Sequence, residues 1–220
     1  MRESSSVQAL PRCATRTCLQ SSTWTPKASD YTRVVAEEGQ VKTEKVDPEV
    51  EARRRLALAQ IRQYPDPVLR LKAQEVEAFD ADLLQLVERM TRLMQDAIGV
   101  GLAANQVGIL RRVVVLQTDG DEEPRVLVNP QIRDRSDETA QDTEGCLSMQ
   151  GVVVPVERSL SLRVEARDAQ GEPVELELEG LAARVAQHEV DHLDGVLIVD
   201  RTTPEGRREA LAVLRQAAAL

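Results

Sequence analysis

The sequence predicts an α+β fold: antiparallel β-sheets packed around a central metal-binding HExxH helix, with an N-terminal amphipathic helix and a C-terminal helix. Three observations predict it. A helical apolar stripe comes first, a block of short β-rich runs follows, and only then comes a helix carrying both of the chain's histidines. Strands grouped in one block, rather than alternating with helices, point to antiparallel pairing instead of a parallel βαβ sheet.

The elements follow in chain order. Phe79, Leu83, Leu86, Val87, Met90, Leu93, Met94 and Ala97 recur at the three- and four-residue spacing of one helix face, and Asp80 stands where an N-cap carboxylate accepts a free N–H. The β-rich runs are Val113–Leu116, Arg125–Val128, Ser161–Ala166 and Val174–Leu178, the last two alternating as half-exposed antiparallel strands do. Gly120 with its acidic neighbours and Ala169-Gln170-Gly171 read as turns. The apolar run from Val152 to Val156 reads as an ordinary buried strand. Gly180 and Gly195 bracket a helix of about fourteen residues, an ordinary length, and a final helix is expected from Pro204 to Leu220.

Residues 46–220 suffice to bury one core, so they are read as a single catalytic domain. Residues 1–45 are read as a disordered extension. Their first 29 carry four basic and one acidic side chain, many serines and threonines and no apolar periodicity, too little to bury. That composition fits a transit peptide, which would make the location organellar, or a start site placed upstream of a true initiator near Val46. No apolar h-region is present, which argues against secretion. Cys13 and Cys18 are expected to form no disulfide framework. With 37 acidic against 28 basic residues and a net charge of −9, general nucleic-acid binding is not expected. No apolar run approaches the ~20 residues of a membrane span.

The chemistry concentrates in His188-Glu189-Val190-Asp191-His192. Residues four apart on a helix lie one above the other, so both imidazoles can reach one metal ion. Leu181, Val185, His188 and His192 share one stripe, expected to face inward. A catalytic ion usually takes a third protein ligand and keeps an open position. The protease pattern H-E-x-x-H-x-x-G-x-x-H fails at Ile198, and Glu205 or Glu209 would lie in a polar stretch poorly suited to a buried ligand. Cys146, in Glu144-Gly145-Cys146-Leu147-Ser148, is the better third donor, because a thiolate binds divalent iron or zinc strongly. A third segment, Gly99-Val100-Gly101-Leu102-Ala103-Ala104-Asn105-Gln106, has small residues that let backbone approach a ligand, but it is no dinucleotide fingerprint.

Taken in order, these three segments resemble the motifs of the peptide deformylases, G-x-G-L-A-A-x-Q, E-G-C-L-S and Q-H-E-x-D-H-L, the last matched from Gln187 to Leu193. The resemblance extends from Ile61 through Val128-Asn129-Pro130 to about Asp200. It implies hydrolytic removal of the formyl group from the N-terminal formylmethionine of nascent polypeptides, with release of formate. It implies Cys146, His188 and His192 as ligands of one divalent ion, natively Fe2+, with Zn2+, Ni2+ or Co2+ able to replace it. Glu189 would be the general base, and the Gln106 side chain and the Leu147 N–H would stabilise the oxyanion. Gly99 and Gly101 would bring backbone to the peptide, and Arg158 would bind the peptide backbone, against the commoner outcome of a surface arginine. Glu144, Gln187 and Asp191 are candidates for orienting the ligands. Where the family continues with an apolar residue and a proline after Ser148, this chain has Met149-Gln150, which puts the edge of the methionine pocket in doubt. The implied setting is the cytoplasm, with the ribosome near its exit tunnel as a partner to test. Two rival readings are an HExxH metallopeptidase and a non-catalytic metal-stabilised binding module.

Overall fold

Helix α1 (Pro48–Leu58) starts where the Asp47 carboxylate accepts from the Glu49 N–H at 2.9 Å and Pro48 occupies the first turn, a position at which a missing N–H costs nothing. It opens a computed structural model that describes residues 47–118 and 120–217. The expectations for residues 1–45, including Cys13 and Cys18, lie outside the described residues. Helix α2 (Ala81–Asp96) begins at the expected cap, the Asp80 carboxylate accepting from the Leu83 N–H at 3.0 Å. Its buried face is Leu83, Leu86, Met90, Leu93 and Met94, and α1 packs against α2, with Ala57 and Leu58 in the same core. Each such buried side chain removes enough apolar surface to contribute roughly 2 kcal/mol.

Among the described residues seven strands follow: β1 (Gly101–Ala103), β2 (Val113–Leu116), β3 (Arg125–Arg135), β4 (Thr139–Gly145), β5 (Val153–Ser159), β6 (Ser161–Arg167) and β7 (Pro173–Glu179). Every pairing between them is antiparallel, as the grouping of the runs implied. One sheet has the order β1-β2-β3-β6-β7 and the other is the hairpin β4-β5. All four residues of β2 are buried, so it reads as a continuous apolar run, whereas Leu162 and Val164 of β6 face Leu178 and Leu176 of β7 and leave charged neighbours outside. Strand β4 has Ala140 as its one apolar side chain and gave no periodic signal; each of its seven residues has a partner on β5. The run Val152–Val156 differs from the expected fully buried strand. Val152, Val154 and Val156 are buried but Val153 is 65% exposed, as one sheet face left open requires.

Helix α3 (Gly180–Leu193) carries both histidines and contacts β1, β2 and β7 of the larger sheet and β5 of the hairpin. One core lies under α1 and α2, a second joins the larger sheet to α3, and a third gathers Leu69, Met149, Val154, Val156, Leu197 and Val199 beneath the hairpin. After α3 the chain turns at Gly195, φ +75°, where a Cβ would lie 2.8 Å from the Arg70 carbonyl carbon, so only glycine fits without displacing backbone. A short helix α4 (Ile198–Arg201) and the expected C-terminal helix α5 (Pro204–Ala217) complete the described chain. No described helix is long and apolar enough to cross a membrane.

Candidate metal centre

One ligand atom from each of Cys146, His188 and His192 lies within 4.8 Å of the other two. The histidines are stacked one turn apart on α3, and Cys146 enters from the turn that follows β4, its Sγ 3.2 Å from His192 Nε2. The donor set, one thiolate and two imidazoles, suits zinc or divalent iron. Two features show that a cation fits. His188 Nδ1 is 3.1 Å from Glu144 Oε2; a carboxylate only accepts, so the proton sits on Nδ1 and the Nε2 lone pair is left for a ligand bond. Burial by itself would lower the His188 pKa, yet the Cys146 sulfur, Glu144 and Glu189 raise it well above the usual value. Surroundings that favour positive charge on this ring also favour a cation among the same groups. Burial holds His192 well below its usual pKa, a neutral donor.

Behind the ligands, Glu144 is a buried hub. Arg158 donates to both of its oxygens at 3.0 Å, Arg184 donates to Oε1 at 2.8 Å, and His188 takes Oε2. Burial alone would raise this carboxyl, but the hydrogen bonds from His188 and Arg158 and their charges bring it down to about 2. Arg158 also donates to Asp191 Oδ2 at 2.6 Å, and Arg201 closes on the same carboxylate at 2.5 Å. The network ties α3 to the hairpin and fixes the His188 ring. Gln187 faces away: its Nε2 donates to the Ser159 and Ala183 carbonyls, and its Oε1 accepts from Arg135 at 2.7 Å.

Glu189 points to the other side. It is 4% exposed, and its Oε2 has no hydrogen-bond partner among the described residues. Burial chiefly, with the Glu144 charge adding to it against the opposing pull of His188, raises its pKa to about 7, the range in which a carboxylate can both take and return a proton at neutral pH. Gly101 is the residue that makes room: a Cβ there would lie 2.8 Å from Val185 Cγ1 and 2.9 Å from Glu189 Cδ. Gln106 is held by its own amide. Oε1 accepts from the Ala103 N–H at 2.8 Å, which aims Nε2 at Ser148 Oγ, 3.1 Å away, and at Cys146 Sγ, 3.8 Å away. The Leu147 carbonyl accepts from Gln63 at 3.0 Å, which pins the turn carrying the Leu147 N–H.

These groups open into a cleft of about 410 Å³. Gly99, Gly101, Gln106, Glu144, Cys146, Leu147, Met149, Gln150, His188 and Glu189 all line it, so three segments distant in sequence meet as expected. His192 closes the triad from beneath, 1% exposed. Three expectations are corrected. Arg158 is neither a surface arginine nor a cleft residue; it is 6% exposed, with its guanidinium committed to Glu144 and Asp191. Leu181 does not continue the inward stripe; it is 50% exposed and lines the cleft. Met149 is not merely a rim residue, since its side chain is fully buried in the third core while it lines the cleft, and of the Met149-Gln150 pair Gln150 is the exposed member. Arg54, Leu58 and Arg184 also line the cleft and were not anticipated. The Asp47-Pro48 cap signal could have revealed the helix that carries the first two; nothing local marks Arg184.

The family model described as polypeptide deformylase matches residues 58–208. A peptide deformylase of Thermotoga maritima is 48% identical over 147 residues, spanning 67% of this chain and 88% of its own length. That of Acidothermus cellulolyticus is 45% identical over 162 residues, spanning 74% and 88%. The crystal structure of a peptide deformylase from Legionella pneumophila resembles this fold with a TM-score of 0.69 at 41% identity, covering 72% of this chain and 94% of that one.

Proposed function

The chain belongs to the polypeptide deformylase family, and from that membership we propose how its residues divide the work. It is a peptide deformylase: it removes the formyl group from the N-terminal formylmethionine of nascent polypeptides by hydrolysis, releasing formate. The catalytic domain is residues 46–220, with the HExxH helix at its centre. Cys146, His188 and His192 hold one divalent ion, natively ferrous iron, with zinc, nickel or cobalt able to replace it. When bound, that ion supplies Lewis acidity, activating water and polarising the formyl carbonyl.

The chain's own groups do the rest. Glu189, with a pKa near neutrality and a free carboxylate oxygen, takes the proton of the attacking water and returns it to the amine that leaves. Gln106 Nε2 and the Leu147 N–H donate to the oxygen that gains negative charge on the former formyl carbon. Gln106 needs no rearrangement to do so, because Ala103 and Ser148 already fix both ends of its amide. Gly99 and Gly101 let the peptide backbone lie against the cleft floor, and Ile98, Leu147, Met149 and Val185 offer apolar surface to the methionine side chain. Glu144 orients His188, and Arg158 orients Glu144, rather than touching the peptide. The enzyme acts in the cytoplasm, beside the ribosomal exit tunnel where its substrate emerges.

The observation that carries this reading is the buried Glu189 carboxylate beside a three-donor set, since a purely structural ion needs no such group. The test is formate release from formyl-Met-Ala-Ser by anaerobically prepared protein and by Glu189→Ala. Release that vanishes in the variant while one equivalent of metal stays bound supports it; no release from metal-loaded parent protein refutes it. Iron-loaded enzyme should lose activity in air while nickel- or cobalt-loaded enzyme keeps it, and equal decay for every ion would count against ferrous iron.

A further inference from the structure

We propose that Arg54, on the helix that precedes the shared fold, selects substrates by binding an acidic side chain of the peptide downstream of formylmethionine. The inference rests on the deformylase reading and adds a specificity determinant to it. Helix α1 runs from Pro48 to Leu58, so all but its last residue lies ahead of the matched stretch, 58–208. Its C-terminal end is fixed, Ala57 and Leu58 being buried in the core they share with α2. Arg54 is one turn back from Leu58 on the same face, and both line the cleft.

The charged groups of that cleft are Arg54, Glu144, Arg184, His188 and Glu189. Four of them are committed. Glu144 is bound by Arg158, Arg184 and His188; Arg184 also donates to the Val156 and Ala140 carbonyls at 2.9 and 2.8 Å; Glu189 is the proton carrier. The Arg54 guanidinium makes no ion pair or hydrogen bond with a described residue, and the side chain is only half-buried. The rest of the exposed lining carries no charge: Val100, Val153 and Leu181 are 45%, 65% and 50% exposed, and Thr143 and Gln150 are neutral. Among the described residues, a peptide leaving the metal centre along this apolar rim therefore meets one uncommitted cation. A guanidinium with its five donors unspent is matched best by a carboxylate, which it can bind with two parallel hydrogen bonds. On a nascent chain still attached at its C-terminus, the carboxylate available is that of an aspartate or glutamate side chain.

The test uses C-terminally amidated formyl-Met peptides in which the second, third or fourth residue is Glu, Gln or Lys, with formate release measured for the metal-loaded full chain and for Arg54→Gln and Arg54→Glu. The expected result is that the parent enzyme prefers Glu over Gln at one of these positions by about five-fold in kcat/KM, the scale of one partly exposed ion pair. The preference should sit in KM, vanish in Arg54→Gln, turn toward Lys in Arg54→Glu, and shrink as salt is raised. Equal rates for Glu, Gln and Lys at all three positions in the parent, or a Glu preference that survives Arg54→Glu, would overturn the proposal. Formate from every peptide without regard to charge removes only the role of Arg54, whereas no formate from any peptide removes the deformylase reading itself. Far-ultraviolet circular dichroism of both variants, with unchanged helix content, excludes loss of α1 as the cause of a lost preference.

Discussion

Substituting Gly101→Ala should cost about a hundred-fold in kcat while leaving the protein folded and loaded with metal. The added methyl would lie 2.8 Å from Val185 Cγ1 and 2.9 Å from Glu189 Cδ, where ordinary contacts are 3.4 to 4 Å. Relief thus requires a movement of half an ångström to one ångström. Val185 is β-branched and packed in the core that joins α3 to the larger sheet, so its side chain has few other rotamers. Glu189 has more freedom and moves further, carrying the carboxylate away from the proton that it takes in the proposed reaction. Misplacing a catalytic group by about 1 Å costs on the order of 10²-fold. The backbone itself tolerates alanine, since Gly101 sits in strand β1 with no positive φ. The assay is formate release under metal-saturated conditions, with bound metal measured on the same samples. A double-mutant cycle gives the control: in a Glu189→Ala background the overlap with Glu189 is gone and only the one with Val185 Cγ1 remains, so the stability loss caused by Gly101→Ala should shrink without vanishing. A Gly101→Ala enzyme within about three-fold of the parent, or an equal stability loss in both backgrounds, would refute the argument.

Glu144→Gln breaks a buried hub and leaves Arg158 without its two-oxygen partner; removing one member of a buried pair costs on the order of 3 to 5 kcal/mol. Loss of the His188 hydrogen bond should also weaken metal binding by about 10- to 100-fold, which calorimetric unfolding and metal titration would check. Glu189→Gln should stabilise the metal-free protein at alkaline pH. The folded state raises this carboxyl from 4.5 to about 7, so its contribution is fully present below about pH 4.5 and is lost as pH rises through 7, leaving a buried charge that costs up to ~3 kcal/mol. Urea unfolding at pH 5 and pH 8 should show the variant gaining on the parent only at the higher pH. The Glu144 carboxyl has the opposite sign: held at about 2, it contributes stability above its unfolded value, lost as pH falls toward 2. An acid-unfolding curve that is unchanged by Glu144→Gln would contradict that contribution.

The sequence by itself determined the grouping of antiparallel strands, the capped stripe of α2 and the face-sharing of His188 and His192, because each is a local pattern with its own period or cap. It also pointed to Cys146, His188 and His192 as a candidate donor set, since the residue types and their order in three motifs are visible without coordinates, and the fold brings their ligand atoms within 4.8 Å of one another. What it could not determine depends on residues distant in the chain. Thr139–Gly145 carries no apolar alternation and becomes β4 only because β5 lies beside it. An arginine such as Arg158 looks solvent-bound until Glu144 and Asp191 are found on either side of it. Leu181 belongs to the apolar stripe by spacing, yet it opens to the cleft, because spacing fixes a helix face and not the depth of what packs against it. The raised pKa of Glu189 and the depressed one of Glu144 separate two carboxylates that look alike in sequence; burial without a partner for Oε2 among the described residues suits the first to the proton transfer proposed for it, and burial among cations holds the second as a charged support.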